Sequence, residues 1–303
     1  MTRGRARSPG DPTGTALETI ADQLGVVLVS ASAIGGGDVG DSRRLDLAGG
    51  ERLFVKRQTG GPPEWPRAEA RGLAWLAEAG ALRIPEVVGV GEDWLALEWI
   101  EPGGPGRDFD RRLGEGLASL HAAGAPGFGL DHDNFVGPLP QSNRPAPDWP
   151  RFYAAERIEP LRRRARDAGL LTRALDVRLE RLLERLPGLT GRDGPPARLH
   201  GDLWQGNVLV DATGAPCLID PAVYGGHREI DLAMMRLFGG FSAGVFTCYT
   251  ESCPLADDAD QRIALHQVYP LLVHVCLFGR AYHGRLAEAV ETALEARGHA
   301  RRP

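Results

Sequence analysis

The sequence predicts an α+β chain in two lobes, an antiparallel sheet with one helix followed by a mainly helical second lobe. Three observations lead there. Residues 15–101 hold five short apolar runs of strand length around one clear helical segment. The cluster Glu101-Pro102-Gly103-Gly104-Pro105-Gly106 then interrupts the pattern as a boundary does. From residue 102 to 303 helical periodicity dominates, broken by one strand–turn–strand pattern.

Each element has its own reason. Residues 1–14 are basic and rich in Gly and Pro, with no apolar stretch after them, and read as a disordered leader rather than a secretory signal. A short helical segment at 17–24 leads to strands at 26–29, 43–47 and 52–56, the last two joined by Gly49-Gly50. Between the first two lies Gly35-Gly36-Gly37-Asp38-Val39-Gly40. At such a tip Gly36 and Gly37 would let backbone N–H groups approach phosphate oxygens, because no Cβ stands in the way. Plain turn chemistry explains the run equally well.

Lys56 closes the apolar strand Leu53-Phe54-Val55-Lys56, and residues 64–79 follow as a helix with Ala70, Leu73, Ala74, Leu76 and Ala77 on one side and Glu69 near its middle. Runs at 85–90 and 94–100 complete the sheet, with Glu98, Trp99 and Ile100 forming a connecting strand whose backbone could pair with adenine. Beyond the boundary, helices are expected at 109–122, 149–168, 170–186, 231–238, 261–278 and 282–296.

Composition bounds the function. With 303 residues, 43% hydrophobic and 25% charged, the chain can bury a substantial core. A net charge of -5 gives no support for a nucleic-acid or membrane-binding surface, and no apolar run is expected to approach a transmembrane span. Cys217, Cys248, Cys253 and Cys276 lack paired spacing, so neither zinc site nor disulfide framework is indicated, and reduced thiols in a cytosolic protein are expected.

The chemistry concentrates in His200-Gly201-Asp202-Leu203-Trp204-Gln205-Gly206-Asn207-Val208-Leu209-Val210 and Cys217-Leu218-Ile219-Asp220. Phosphoryl transfer to a hydroxyl needs one carboxylate to accept its proton, and an amide oxygen and a second carboxylate to hold Mg²⁺ on the phosphates of ATP. Asp202, Asn207 and Asp220 supply these groups in that order, and a hairpin over 208–219 would return Asp220 beside the other two. A lysine at a strand end is usually just solvated, but a kinase requires one there with a helical glutamate, here Lys56 and Glu69; the rivals Glu64 and Glu78 read better as exposed helix ends. Trp204 offers a flat apolar face to a sugar ring, His200 reads as a structural residue of the loop, and His132 and Asn134 sit in a polar loop where a substrate role or capping chemistry is possible. Asp231 could cap the helix that begins beside it.

These words resemble the fructosamine kinase (ketosamine-3-kinase) family, a branch of the protein-kinase-like fold related to the aminoglycoside phosphotransferases. The resemblance spans roughly residues 17–296 and is most specific in 200–207, in Ile219-Asp220-Pro221-Ala222 and in Arg228-Glu229-Ile230-Asp231-Leu232-Ala233, with support from 130–143 and Leu277-Phe278-Gly279. It implies ATP-dependent phosphorylation of the 3-hydroxyl of a ketosamine, followed by breakdown of the 3-phosphate and deglycation. Asp202 would be the base, Asn207 and Asp220 the Mg²⁺ ligands, Lys56 with Glu69 the phosphate clamp, and Asp231 a brace for the catalytic loop. Ribulosamine, erythrulosamine and fructosamine adducts, free or protein-linked, all fit this reading, and the oligomeric state stays open. Some members carry a cysteine in the glycine-rich loop; Asp38 stands at that place here, so the redox dimerisation that such a cysteine permits is not expected. The competing readings are another small-molecule kinase of the aminoglycoside phosphotransferase type and a catalytically dead nucleotide-binding scaffold.

Overall fold

A computed structural model describes residues 12–35, 41–191 and 194–296. Gly36, Gly37 and Asp38, and residues 1–11 of the expected leader, lie outside the described residues. The chain divides into two compact units, one formed by residues 1–67 and 85–100 and the other by 68–84 and 101–303.

The first unit is a five-stranded antiparallel sheet with a helix, α1 (Pro12–Leu24). Its strands β1 (Leu28–Ala33), β2 (Asp41–Leu47), β3 (Arg52–Arg57), β4 (Val87–Val90) and β5 (Trp94–Glu98) take the order β1-β2-β3-β5-β4. Alternation sets the faces. Leu45 and Leu47 of β2 and Leu53 and Val55 of β3 are buried, and they meet Leu17 and Ile20 from α1 in one apolar cluster. The helix begins at Pro12, five residues before the predicted start, and β1 begins two residues after its predicted start. Proline suits that first helical turn, where its missing N–H has no partner to lose.

The division between units falls within α2 (Trp65–Ala77), whose Leu76 packs in the second unit's core. That unit contains α3 (Phe109–Ala122), α4 (Trp149–Phe152), a π-helical turn at Tyr153–Ile158, α5 (Glu159–Asp167), α6 (Arg173–Leu189), α7 (Glu229–Phe238), α8 (Ala243–Ser252), α9 (Ile263–Phe278) and α10 (His283–Glu295). Three two-stranded ribbons thread between them: β6 (Asn134–Val136) with β7 (Leu139–Gln141), β8 (Ala197–Leu199) with β11 (Tyr224–Gly226), and β9 (Val208–Val210) with β10 (Pro216–Leu218). α6 shows why helical periodicity is legible. Leu175, Leu179, Leu182, Leu186 and Leu189 all fall on its buried stripe, and Thr172 caps its start by accepting the Leu175 N–H at 3.3 Å.

Several sequence expectations need correction. The helix expected at 149–168 is α4, a π-turn and α5 in succession, and α8 and the ribbons β6–β7 and β8–β11 were not anticipated. Strands of three residues are too short to show a period, and α8 buries only Val245 and Tyr249. The expectation that no run reaches transmembrane length is also overturned: Ala259–Glu295 is long and apolar enough by length and composition, with 56% of its most apolar window buried. A 3-10 turn at Gly279–Tyr282 makes α9 and α10 one stretch, and Val268, Leu272 and Val275 of α9 are core residues.

The β9–β10 ribbon is locked by its turn. Asp211 accepts hydrogen bonds from Thr213 Oγ1 at 2.6 Å, the Thr213 N–H at 2.9 Å and the Ala215 N–H at 3.0 Å, and pairs with Arg83 at 2.7 Å. The Thr213 hydroxyl and Arg83 hold its carboxyl well below the usual carboxylate range. Replacing Asp211 with Ala removes the acceptor of these donors, which water can reach, so a loss of about 0.5–1.5 kcal/mol is expected in urea unfolding.

Candidate active site

The loop between β8 and β9 is shaped by one glycine. Gly201 has a φ of 83°, and a Cβ there would lie 2.0 Å from the Ala222 carbonyl oxygen. Only glycine permits this approach, which lets the Ala222 N–H donate to the His200 carbonyl at 2.9 Å. A 3-10 turn at Gln205–Asn207 then redirects the chain into β9.

Asp202, Asn207 and Asp220 are brought together by that turn and the ribbon after it. The Asn207 Nδ2 donates to the Asp202 carbonyl at 2.8 Å, to Asp202 Oδ2 at 3.1 Å and to the Asp220 carbonyl at 3.4 Å. The Ile219 N–H donates to the Asn207 carbonyl at 3.0 Å, closing the ribbon beside the amide. With its nitrogen engaged inward, the atom Asn207 offers to a cation is the amide oxygen. Asp220 has a φ of 51°, the one positive value among the described non-glycine residues. Such a conformation costs energy and persists where the surroundings over-determine it, as at functional sites.

Asp231 fixes the loop from behind. It is fully buried, and its Oδ2 and Oδ1 accept the backbone N–H groups of His200 and Gly201 at 2.8 and 2.9 Å. The helix-capping alternative does not hold, because α7 begins at Glu229 after Arg228 and Asp231 sits inside its first turn. Burial pushes its carboxyl upward, but the hydrogen bond and charge of His121, with His200 and the Gly201 N–H, bring it below its ordinary value. His121 Nε2 lies 3.2 Å from Asp231 Oδ2, and its Nδ1 lies 2.8 Å from the Tyr249 hydroxyl of α8. Sequence reasoning missed both partners. The available signal was a lone histidine continuing the buried stripe of Leu113, Leu117 and Leu120.

His200 is likewise structural in its contacts. Its Nε2 donates to the Ile219 carbonyl at 2.9 Å and its Nδ1 accepts the Asp202 N–H at 3.3 Å, the roles of one neutral tautomer. Burial lowers its pKa and so favours that neutral form.

On the other side of Asp202, the Trp204 ring lies over Gly206, where a Cβ would come within 2.3 Å of it, and 38% of the residue is exposed. Asn134 is buried. Its Nδ2 donates to the Val223 carbonyl at 2.8 Å, while its Oδ1 accepts from Gln141 Nε2 at 2.8 Å and Asn143 Nδ2 at 2.9 Å. The amide of Asn134 therefore ties the β6–β7 ribbon to the segment after Asp220. The fully buried Arg157 secures the same ribbon, donating to the Ser142 carbonyl and to Asn143 Oδ1, each at 2.6 Å, with its guanidinium 3.8 Å from the Tyr224 ring centroid. His132 Nδ1 lies 2.5 Å from Asp131 Oδ1.

In the first unit, Lys56 sits on β3 in register with Ser42 and Leu95, its ammonium 5.0 Å from the Trp65 ring centroid. Glu98 ends β5, where its Oε1 accepts the Glu86 N–H at 3.3 Å; the Arg44 guanidinium lies 5.6 Å from the Trp99 ring, and Ile100 is buried. Glu69 is buried on the part of α2 that belongs to the second unit. A cleft of about 760 Å³ in the first unit, lined by Gln23, Arg57 and Trp94 among others, contains none of the predicted site residues.

Residues 15–296 match the family described as fructosamine kinase. The chain belongs to the fructosamine kinase family. A probable ketoamine kinase of Thermus thermophilus is 39% identical over 254 residues, covering 84% of this chain and 91% of that one. The chloroplastic protein-ribulosamine 3-kinase of Oryza sativa subsp. indica is 30% identical over 88% of this chain and 79% of its own length. Among solved structures, a candidate fructosamine-3-kinase of Thermobifida fusca shares 42% identity with a TM-score of 0.87, covering 92% of this chain and 99% of that one. A macrolide 2'-phosphotransferase shares the fold alone, at 18% identity and a TM-score of 0.64 over 95% of this chain and 99% of that one. The α+β architecture of the fructosamine kinases is thus the architecture observed here.

Two outcomes follow for the loop. His121→Phe leaves buried Asp231 and Tyr249 groups short of a partner; a lower melting temperature and a fall in kcat larger than the change in KM are expected. Burial of neutral His200 means that, below about pH 6.5, the unfolded chain takes up a proton that the folded chain refuses. Its contribution is complete above that pH and declines as pH falls toward the lowered folded value; urea titrations across this window should show a shallower slope in His200→Gln.

Proposed function

We propose that this protein is an ATP-dependent kinase that phosphorylates the 3-hydroxyl of a ketosamine and so initiates deglycation. The observation that carries this reading is the Asp202, Asn207 and Asp220 cluster, held by Asn207 Nδ2, within a chain of the fructosamine kinase family. The relatives described as a probable ketoamine kinase and a ribulosamine 3-kinase support the acceptor class.

In this reading Asp202 accepts the proton of the attacking hydroxyl. The acceptor oxygen forms a bond to the γ-phosphorus of ATP as the bond to the β,γ-bridging oxygen breaks, leaving ADP. Asn207 and Asp220 present an amide oxygen and a carboxylate, a hard-oxygen set that suits Mg²⁺, and a bound Mg²⁺ would neutralise phosphate charge. Lys56, Glu69, Glu98, Trp99 and Ile100 are the nucleotide-binding residues in this reading, together with Gly36 and Gly37, which lie outside the described residues. Trp204 offers its exposed face to the sugar, and His132 and Asn134 belong to the acceptor side, Asn134 by holding the β6–β7 ribbon in place. Phosphoryl transfer depends mostly on positioning and charge, which is why a rigid loop matters more here than a strong base. The 3-phosphate then breaks down and releases the amine.

Turnover with ATP should be stimulated by ribulosamine, erythrulosamine or fructosamine adducts, with phosphate found on O3 by ³¹P NMR. Asp202→Asn is expected to lower kcat by about 10²-fold or more while Mg·ATP still binds, and Asp220→Ala to raise the Mg²⁺ requirement. Stimulation by aminoglycosides or macrolides alone would remove the ketosamine reading, and full activity in Asp202→Asn would remove the base.

A further inference from the structure

Among the described residues, one histidine and carboxylate cluster has no part in the chemistry above. His227, Glu229 and His266 are all buried in the second unit, and their ligand-type atoms lie within 4.8 Å of one another. His227 and Glu229 flank the start of α7, and His266 comes from the first turn of α9. His266 Nδ1 lies 3.4 Å from Glu229 Oε2, and His227 Nδ1 lies 4.0 Å from the same oxygen. The two imidazoles face one another with centroids 5.2 Å apart. His266 is wholly inaccessible, and neither of its ring nitrogens has a hydrogen-bond partner. A buried imidazole without partners is costly and calls for an occupant.

We propose that His227, Glu229 and His266 form a buried structural site for a divalent transition-metal ion of the zinc type, joining α7 to α9. Two imidazoles and a carboxylate are a donor set that zinc takes, and bonds of about 2.0–2.1 Å in tetrahedral geometry separate neighbouring donors by roughly 3.3 Å. The His266 to Glu229 distance already matches, and the His227 to Glu229 distance needs a small closure. Arg262 grips Glu229 through Nε at 2.9 Å and Nη2 at 2.6 Å, and its Nη1 lies 2.7 Å from Asp258. Arg262 thereby orients Glu229 as the outer partner of a metal ligand does. The consequence for the loop is direct, because α7 also carries Asp231.

The closed site is loaded during folding, so the test uses the full chain, unfolded and refolded with Zn²⁺ and then dialysed. Mass spectrometry of the metal content should find one equivalent of zinc, the melting temperature should rise relative to protein refolded with chelator, and Co²⁺ in place of Zn²⁺ should give the visible absorption of a four-coordinate ion. His266→Phe is expected to weaken binding by about tenfold or more and to abolish the absorption; His266→Asn serves if the first variant does not fold. Zinc content no higher in the wild type than in these variants, or an unchanged melting temperature, overturns the proposal, the cluster then holding water only.

Discussion

The carboxylate of Asp231 is the constraint on which the rest of the site depends. Two consecutive backbone N–H groups, those of His200 and Gly201, have no secondary-structure partner in a loop that must turn sharply, and a buried unpaired N–H is costly. Asp231 satisfies both, and it can remain ionised in a fully buried position because His121 stands beside it. His121 is fixed in turn by Tyr249, so three helices and the loop that carries Asp202, two residues after His200, form one connected polar lattice. Gly201 makes the arrangement sterically possible, and Asp231 makes it energetically stable.

The same logic extends to the 130–143 block. The β6–β7 ribbon is held to Ala222 and Val223 by Gln141 and Asn134, and Arg157 supports it from the core, its guanidinium stacked on Tyr224 and Phe152. The residues that follow Asp220 thereby serve as a common wall: the loop of Asp202 rests on one side of it and the 130–143 block on the other. This arrangement lets one short segment of chain set the spacing between the Asp202 loop and the 130–143 block.

How much of this was legible varies by element. The first unit's sheet and helix, and α3 to its last residue, could be read from apolar periodicity because their buried faces repeat every two or every 3.6 positions. Of the three-residue ribbons only β9–β10, with its turn between two apolar runs, could be read; β6–β7 is too short to show a period, and in β8–β11 the partners lie far apart, Tyr224 opposing Leu199. Asp231 shows the limit for single residues. An acid near a helix start is read as a cap by local rules; the family resemblance instead implied a brace for the loop, and the packing of α7 shows the carboxylate facing that loop thirty residues earlier. The roles of His121 and Tyr249 went unread for the same reason, although His121 continues the apolar stripe of its helix.

By itself, then, the sequence determined the fold class, the family and the order of the oxygen-bearing residues Asp202, Asn207 and Asp220, because these depend on local periodicity and on short spacings along the chain. The tertiary structure decided what holds those residues still: the positive φ of Asp220, the close approach of Gly201 to Ala222, and the partners of Asp231, Asn134 and Arg157. The physical reason is burial. A polar group removed from water must find its partner wherever the packed chain supplies one, and that partner has no fixed distance in sequence.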